Sequence, residues 1–220
     1  RELNDQAQSF NTMLRGLRWF KIYVPKNLVR RLVGRGGGMP ESVECEVTVM
    51  FTDIAGFTSI SEGSPAADVA GFLNEHFALV AACIEDEEGT VDKFIGDAVM
   101  AFWGAPDAQP DHAERAARAA AEIARAVTDG NKARVASGKP PVHLRIGLHS
   151  GPVTVGNIGA PGRINYTIIG DTVNIGQRLE QLGKEAGTKD GRDVTVLASA
   201  ATVAKLGPGF APEAAGRHRL

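Results

Sequence analysis

The chain has 220 residues, 43% of them hydrophobic and 23% charged, with a formal net charge of −2. That length and apolar content support one good core with room for a short appendage, and the near-neutral balance argues against a nucleic-acid binder driven by bulk positive charge. Cys45 and Cys83 have neither CxxC nor metal-ligand spacing and read as two buried thiols in a reducing compartment, so no disulfide framework is expected; there is also no signal-peptide pattern and no run of roughly eighteen apolar residues.

Taken in order, residues 1–34 differ from the rest. Leu3, Ala7, Phe10, Leu14, Leu17 and Phe20 recur at three- and four-residue steps, the stripe of an amphipathic helix able to form a parallel coiled-coil seam with a second copy. Arg15, Arg18, Lys21, Lys26, Arg30, Arg31 and Arg35 make it basic, which suits either a solvated helix face or a linker drawn to anionic lipid. Gly34-Arg35-Gly36-Gly37-Gly38 then marks a flexible boundary.

The apolar, β-branched run Val47-Thr48-Val49-Met50-Phe51 predicts a buried strand that ends on Asp53, and Ile54-Ala55-Gly56-Phe57-Thr58 follows as a turn whose backbone N–H groups can face an anion. Ser64-Pro65 opens a helix that keeps a 3.6-residue period through Val69, Phe72, Leu73, Phe77 and Val80 to about Asp86. Gly96-Asp97 between two short strands predicts a tight hairpin closing at Phe102-Trp103-Gly104. If this hairpin pairs beside the first strand, Asp53 and Asp97 meet at one sheet edge, where two carboxylates can hold divalent cations on a polyphosphate. Trp103 reads as core rather than as a base-stacking platform.

Residues 111–136 read as a second long helix, with His112 expected on its surface. Val142 to His149 is the next strand, and the glycines from Gly151 to Gly159 predict a hairpin; His149 lacks a carboxylate partner nearby and is a weak candidate for a general base. Ile164 to Gly170 is a strand, and a helix starts at Asp171-Thr172, either of which can cap it. Asn174 and Arg178, four apart, share one face of that helix. Val194 to Leu197 forms a late strand, with a short helix from Ser199 to Leu206. The alternation gives an α+β, ferredoxin-like sheet with helices on one face, preceded by the amphipathic linker.

Phe51-Thr52-Asp53-Ile54-Ala55-Gly56-Phe57-Thr58 and Lys93-Phe94-Ile95-Gly96-Asp97 together resemble the two metal-binding motifs of the class III nucleotidyl cyclases, in order, and the run Tyr166 to Arg178 resembles the third motif of that family. The resemblance implies a cyclase catalytic domain over 39–220 and the sheet architecture just described. Ala7 to Leu14 resembles the end of a HAMP signalling module, and Tyr23 to Val29 the connector that joins such modules to cyclase domains, which implies a signalling linker over 1–38. A domain on the cytoplasmic side of a membrane, with an upstream membrane or sensor domain absent from this chain, is the corresponding expectation.

For chemistry, the resemblance implies ATP conversion to 3′,5′-cyclic AMP and pyrophosphate at sites shared across a homodimer. Asp53 and Asp97 would hold two Mg²⁺ or Mn²⁺ ions per site, Ile54, Gly56, Phe57, Thr58 and Arg145 would meet the triphosphate, and Asn174 and Arg178 would orient ribose and stabilise charge at the α-phosphate. Lys93 and Thr167 match positions that read adenine, a lysine donor toward N1 and a hydroxyl acceptor for the exocyclic amine, whereas guanine would need an acceptor at the lysine position. Guanylyl cyclase and a non-catalytic nucleotide-binding dimerisation module are the alternatives; a diguanylate-type cyclase is disfavoured because the hairpin reads Ile95-Gly96-Asp97-Ala98. The family's triphosphate-binding lysine has no counterpart among Lys184, Lys189 and Lys205, and the C-terminal strands are expected to be incomplete.

Overall fold

The computed structural model describes Phe10, Asn11, Met13 and residues 42–160, 162–186 and 191–218. The chain divides into two units, Arg1–Glu41 and Ser42–Leu220. In the first, Phe10, Asn11 and Met13 are helical and exposed; the remainder of the predicted stripe, the connector and the glycine boundary lie outside the described residues.

The second unit runs β1 (Val43–Ile54), α1 (Phe57–Glu62), α2 (Ala66–Asp86), β2 (Thr90–Ile95), β3 (Ala98–Trp103), α3 (His112–Ala136), β4 (Leu144–Ala160), β5 (Arg163–Ile169), α4 (Asp171–Ala186), β6 (Val194–Ala198) and α5 (Ala200–Val203). The strand order is β2-β3-β1-β4-β5, with β6 parallel to β4. β1 and β4 form the central antiparallel ladder, from Val43 opposite Val155 to Ile54 opposite Leu144. The other edge of β4 is divided: β6 pairs along Leu144 to Leu148 and β5 along Thr154 to Ala160.

The predicted hairpin within Gly151–Gly159 is replaced by one unbroken strand. Its glycines serve close packing: a Cβ on Gly151 would meet the Thr172 hydroxyl at 2.7 Å, and one on Gly156 would meet Ser42 Oγ at 2.3 Å. β4 and β5 are joined only after Ala160.

Helices α2 and α3 pack on one face of the sheet. Met50, Ile54, Val99, Ala101, Trp103, Leu144, Ile146 and Leu148 meet Val80 and Ile84 of α2 and Ala116, Ala119, Ala120 and Ile123 of α3. Trp103 is fully buried and donates its indole N–H to the Glu87 carbonyl, so it packs the core as expected. Asn131 closes the end of α3 onto the sheet by exchanging both amide hydrogen bonds with the Val142 backbone, at 2.8 and 2.7 Å. The alternate positions of β1 and β4 point away from this core and receive α4, where a Cβ on Gly176 would stand 2.7 Å from Val49 and one on Gly147 would stand 2.4 Å from the Glu180 nitrogen.

His112 departs from expectation. It is buried at the start of α3, its Nδ1 2.7 Å from Thr48 Oγ1, which in turn meets Ser150 Oγ at 2.7 Å; burial lowers its pKa, and the Lys205 charge adds to that. A polar side chain survives there because the Thr48 hydroxyl, itself held by Ser150 of β4, meets its ring nitrogen. The thiols of Cys45 and Cys83 are half-buried rather than buried, and free. The last helix is shorter than predicted, four residues capped by Ser199, whose hydroxyl accepts from the Thr202 N–H.

Gly147→Ala should push α4 off the sheet, because the new methyl meets helix backbone that has no rotamer to yield; we expect a loss of about 3 kcal/mol in chemical denaturation. Gly130→Ala, in α3 with open space around it, serves as the control and should be neutral or gain about 0.5–1 kcal/mol.

Candidate active site

Two tight features bring the predicted aspartates together. Asp53 is the penultimate residue of β1. Asp97 occupies the two-residue turn between Ile95 and Ala98, with Gly96 at φ +64 supplying the left-handed residue the turn requires. Since β3 pairs directly with β1, the hairpin tip reaches the end of β1, and Asp97 Oδ2 accepts the Ile54 N–H at 3.1 Å. Of the predicted phosphate-facing backbone, Ile54 is thus already engaged by Asp97. Gly56, at φ +73, turns the chain into α1 and accepts the Ser59 N–H at its carbonyl; Phe57 and Thr58 open that helix, at positions whose N–H groups lie ahead of its hydrogen-bond ladder.

Arg145 lies opposite Asp53 in the β1–β4 register. It was expected at a triphosphate, yet Arg145 is 8% exposed and its guanidinium is already divided between two carboxylates: Nη2 pairs with Asp53 Oδ2, and Nε donates to Glu180 Oε1 of α4 at 2.8 Å. A phosphate would have to displace one of them. Despite this pairing, the Asp53 carboxyl is pushed up to about 6, first by burial and then by the charges of Asp97 and Glu180, against which Arg145 and Lys184 pull down. One guanidinium shared by two carboxylates does not neutralise three.

The donor set fits a divalent cation bound together with a polyphosphate. Among the described residues no cluster of three or more His, Cys, Asp or Glu side chains could cage a metal by itself. Hard cations of the Mg²⁺ type are held by one or two carboxylates with phosphate oxygens and water completing the shell, and two crowded, partly desolvated carboxylates are what such an ion relieves.

The pair expected to read adenine is also brought together. Lys93 Nζ donates to Thr167 Oγ1 at 2.9 Å. β2 and β5 are the two ends of the strand path, so the sheet curls until its outer strands meet here. Asp92 joins them: Thr167 donates its hydroxyl proton to Asp92 Oδ2, and Asp92 Oδ1 lies 3.0 Å from Lys93 Nζ.

Asn174 and Arg178 are exposed. The side of α4 that meets the sheet carries Thr172, Gly176, Glu180 and Gly183, so Asn174 and Arg178 project away from their own chain's aspartates. Thr172 donates its hydroxyl to the Pro152 carbonyl at 2.7 Å instead of capping the helix. His149 Nδ1 meets Ser199 Oγ at 2.8 Å, and burial lowers its pKa. Lys184 acts on Asp53 through its charge, Lys205 pairs with Glu46 at the far end of β1, and Lys189 lies outside the described residues.

Comparison with known proteins decides the family. Residues 40–209 match the adenylate and guanylate cyclase catalytic domain. The chain belongs to that family. It is 43% identical over 187 residues to Adenylate cyclase 1 of Rhizobium meliloti, covering 84% of the chain but 27% of that relative, so the chain spans about a quarter of this curated relative's length. Among solved structures, the adenylyl cyclase CyaB from P. aeruginosa superposes with a TM-score of 0.68 at 32% identity, covering 76% of this chain and 82% of that one. The guanylyl cyclase Cya2 gives a TM-score of 0.67, also at 32% identity, covering 76% of this chain and 81% of that one. The cyclase fold therefore does not by itself separate adenine from guanine.

Sequence reasoning had not singled out Asp92 or Glu180. Glu180 shares a helix face with no recognised motif; a hidden carboxylate four residues before Lys184 reads as an ordinary helix pair.

In metal-free buffer, Asp53→Asn should raise the melting temperature of the cyclase domain at pH 8. The raised folded-state pKa means that ionised Asp53 opposes folding above about pH 6, so the gain should shrink as pH falls through 6 and vanish below about 4, where wild-type Asp53 is protonated in both states. Thermal melts from pH 4 to 8 check this.

Proposed function

We propose that this cyclase domain converts ATP to 3′,5′-cyclic AMP and pyrophosphate, at two equivalent sites shared between the protomers of a homodimer. The observation that carries the choice of base is the Lys93–Thr167 pair, a cationic donor beside a hydroxyl held as acceptor. Adenine presents an acceptor at N1 and a donor at its 6-amino group, matching that pair; guanine presents the reverse at both positions. A guanylyl cyclase would place an acceptor where Lys93 stands. The intact set Asp53, Asp97, Asn174 and Arg178 supports a working catalyst over a nucleotide-holding module.

In this reading the ribose 3′-oxygen bonds to the α-phosphorus as the bond to the bridging oxygen of pyrophosphate breaks. Two divalent cations, Mg²⁺ or Mn²⁺, would sit on Asp53 and Asp97 and supply charge neutralisation and acidification of the 3′-hydroxyl. The turn from Ile54 to Thr58 aims first-turn N–H groups at the phosphates. Arg145 holds Asp53 in place, and it gains freedom to meet a phosphate once the Asp53 charge is otherwise compensated. Asn174 orients the ribose, and Arg178 offers a fixed positive charge as the α-phosphate gains negative charge. Because these two project away from their own chain's aspartates, the reading requires a partner to complete each site. The basic, striped N-terminal segment supports a linker from an upstream sensor on the cytoplasmic side of a membrane.

Purified protein supplied with ATP or GTP and either metal should form cyclic AMP in preference to cyclic GMP; failure to form either overturns the proposal. Asp97→Ala should lose several orders of magnitude of turnover, by analogy with loss of a metal ligand, while remaining folded. Mixing Asp97→Ala with Arg178→Ala chains should restore roughly a quarter of wild-type activity, since about half the dimers are mixed and each has one intact site. Lys93→Glu should lower the ATP-to-GTP preference by about ten-fold or more.

A further inference from the structure

Asp92 is the extra residue of a β-bulge. The β2–β3 register runs Val91 opposite Ala101 and then Lys93 opposite Met100, which leaves Asp92 without a partner in the ladder. In a regular strand, neighbouring residues point to opposite faces; a bulge re-aims one of them. Here both Asp92 and Lys93 reach Thr167. The Asp92 side chain is 1% exposed, and Thr167 is itself buried.

Proton counting gives the consequence. Thr167 carries one O–H and two lone pairs, whereas an ionised carboxylate only accepts. With its proton committed to Asp92, Thr167 can offer nothing but a lone pair to anything else that approaches, and Lys93 Nζ already uses one in this way. We propose that Asp92 is a specificity-determining positioning residue: it fixes the polarity of the Thr167 hydroxyl, so the pocket accepts a hydrogen bond from a 6-amino purine and rejects a 6-oxo purine. Without Asp92 the hydroxyl would rotate and donate to a 6-oxo group as readily as it accepts from a 6-amino group. The bulge is the device that carries Asp92 beneath the threonine while leaving Lys93 beside it. This inference rests on the adenine-binding reading of Lys93 and Thr167, and adds a residue that never touches the base.

The test separates binding from turnover. Dissociation constants for the α,β-methylene analogues of ATP and ITP, which cannot release pyrophosphate, are measured on the whole chain. ITP differs from ATP at the 6-position and N1 and lacks the 2-amino group of guanine, so the ratio reads the relevant edge alone. Asp92→Asn, whose amide can turn either way, and Asp92→Leu should each lower the preference for the 6-amino analogue at least about ten-fold. Thr167→Ser should keep the wild-type ratio and Thr167→Val should lose it; in the Thr167→Val background, Asp92→Asn should change nothing further. An unchanged ratio in natively folded Asp92→Asn overturns the inference. So does an equal effect of Asp92→Asn with and without the Thr167 hydroxyl, which would mean action through Lys93 alone. If both Asp92 variants melt, equal ratios for Thr167→Ser and Thr167→Val overturn it as well. Cyclic-product formation by the wild type is assayed separately, so a chain that binds selectively without turnover refutes the cyclase reading and leaves this inference standing.

Discussion

The antiparallel ladder between β1 and β4 is the constraint on which the rest depends. Its register sets Asp53 against Arg145 at one end and leaves the alternate residues of both strands on opposite faces. One set builds the core with α2 and α3. The other set includes Gly147, where the absence of a side chain lets α4 lie against the strand backbone. A slip of one residue would exchange these sets, burying Asp53 and Arg145 in the apolar core and turning Met50 and Ile146 toward the helix that now seats on glycine. The catalytic geometry and the hydrophobic core are therefore specified by the same pairing.

The Asp53 end of that ladder is an electrostatic problem left partly unsolved by the protein. Arg145 is divided between Asp53 and Glu180, and burial first, then the charges of Asp97 and Glu180, push the Asp53 carboxyl up to about 6. Arranging the charges in this way costs stability, and the proposed divalent cations would offset that cost. Glu180 has a second consequence. It ties the Asp53 end of the sheet to α4, the helix that presents Asn174 and Arg178 on its other side, so the two halves of the proposed chemistry share a rigid support.

Selectivity has a different origin. The two outer strands of the sheet meet only because the sheet curls, and at their meeting point Lys93, Thr167 and Asp92 satisfy one another. Side chains whose donors and acceptors hold one another in place are preorganised, which lowers the cost of ordering them around a base. The chain is 32% identical to both an adenylyl and a guanylyl cyclase structure, so fold does not separate the substrates, and the proposed choice of base rests on such local polarity.

Much of this was legible in the sequence. Strand, turn and helix periodicities marked β1, α2, α3, β5 and α4, though not α1 or the full length of β4, and Gly96-Asp97 between two short strands announced its hairpin. The spacing of Asn174 and Arg178 placed them on one helix face by geometry alone. What the chain could not disclose are facts about residues distant in sequence. Gly151 and Gly156 looked like turn residues, but Thr172 and Ser42 occupy the space their side chains would need. His112 looked like a surface residue, but the Thr48 hydroxyl of β1, backed by Ser150 of β4, meets its ring nitrogen. Arg145 was expected at a triphosphate and instead pairs with Asp53 and Glu180, and Asp92 was unremarkable until the bulge turned it toward a threonine 75 positions away. Local periodicity reports the backbone's preferences; register, sheet curl and the close approach of helix to strand are decided by the whole core at once, and only the tertiary structure reveals them.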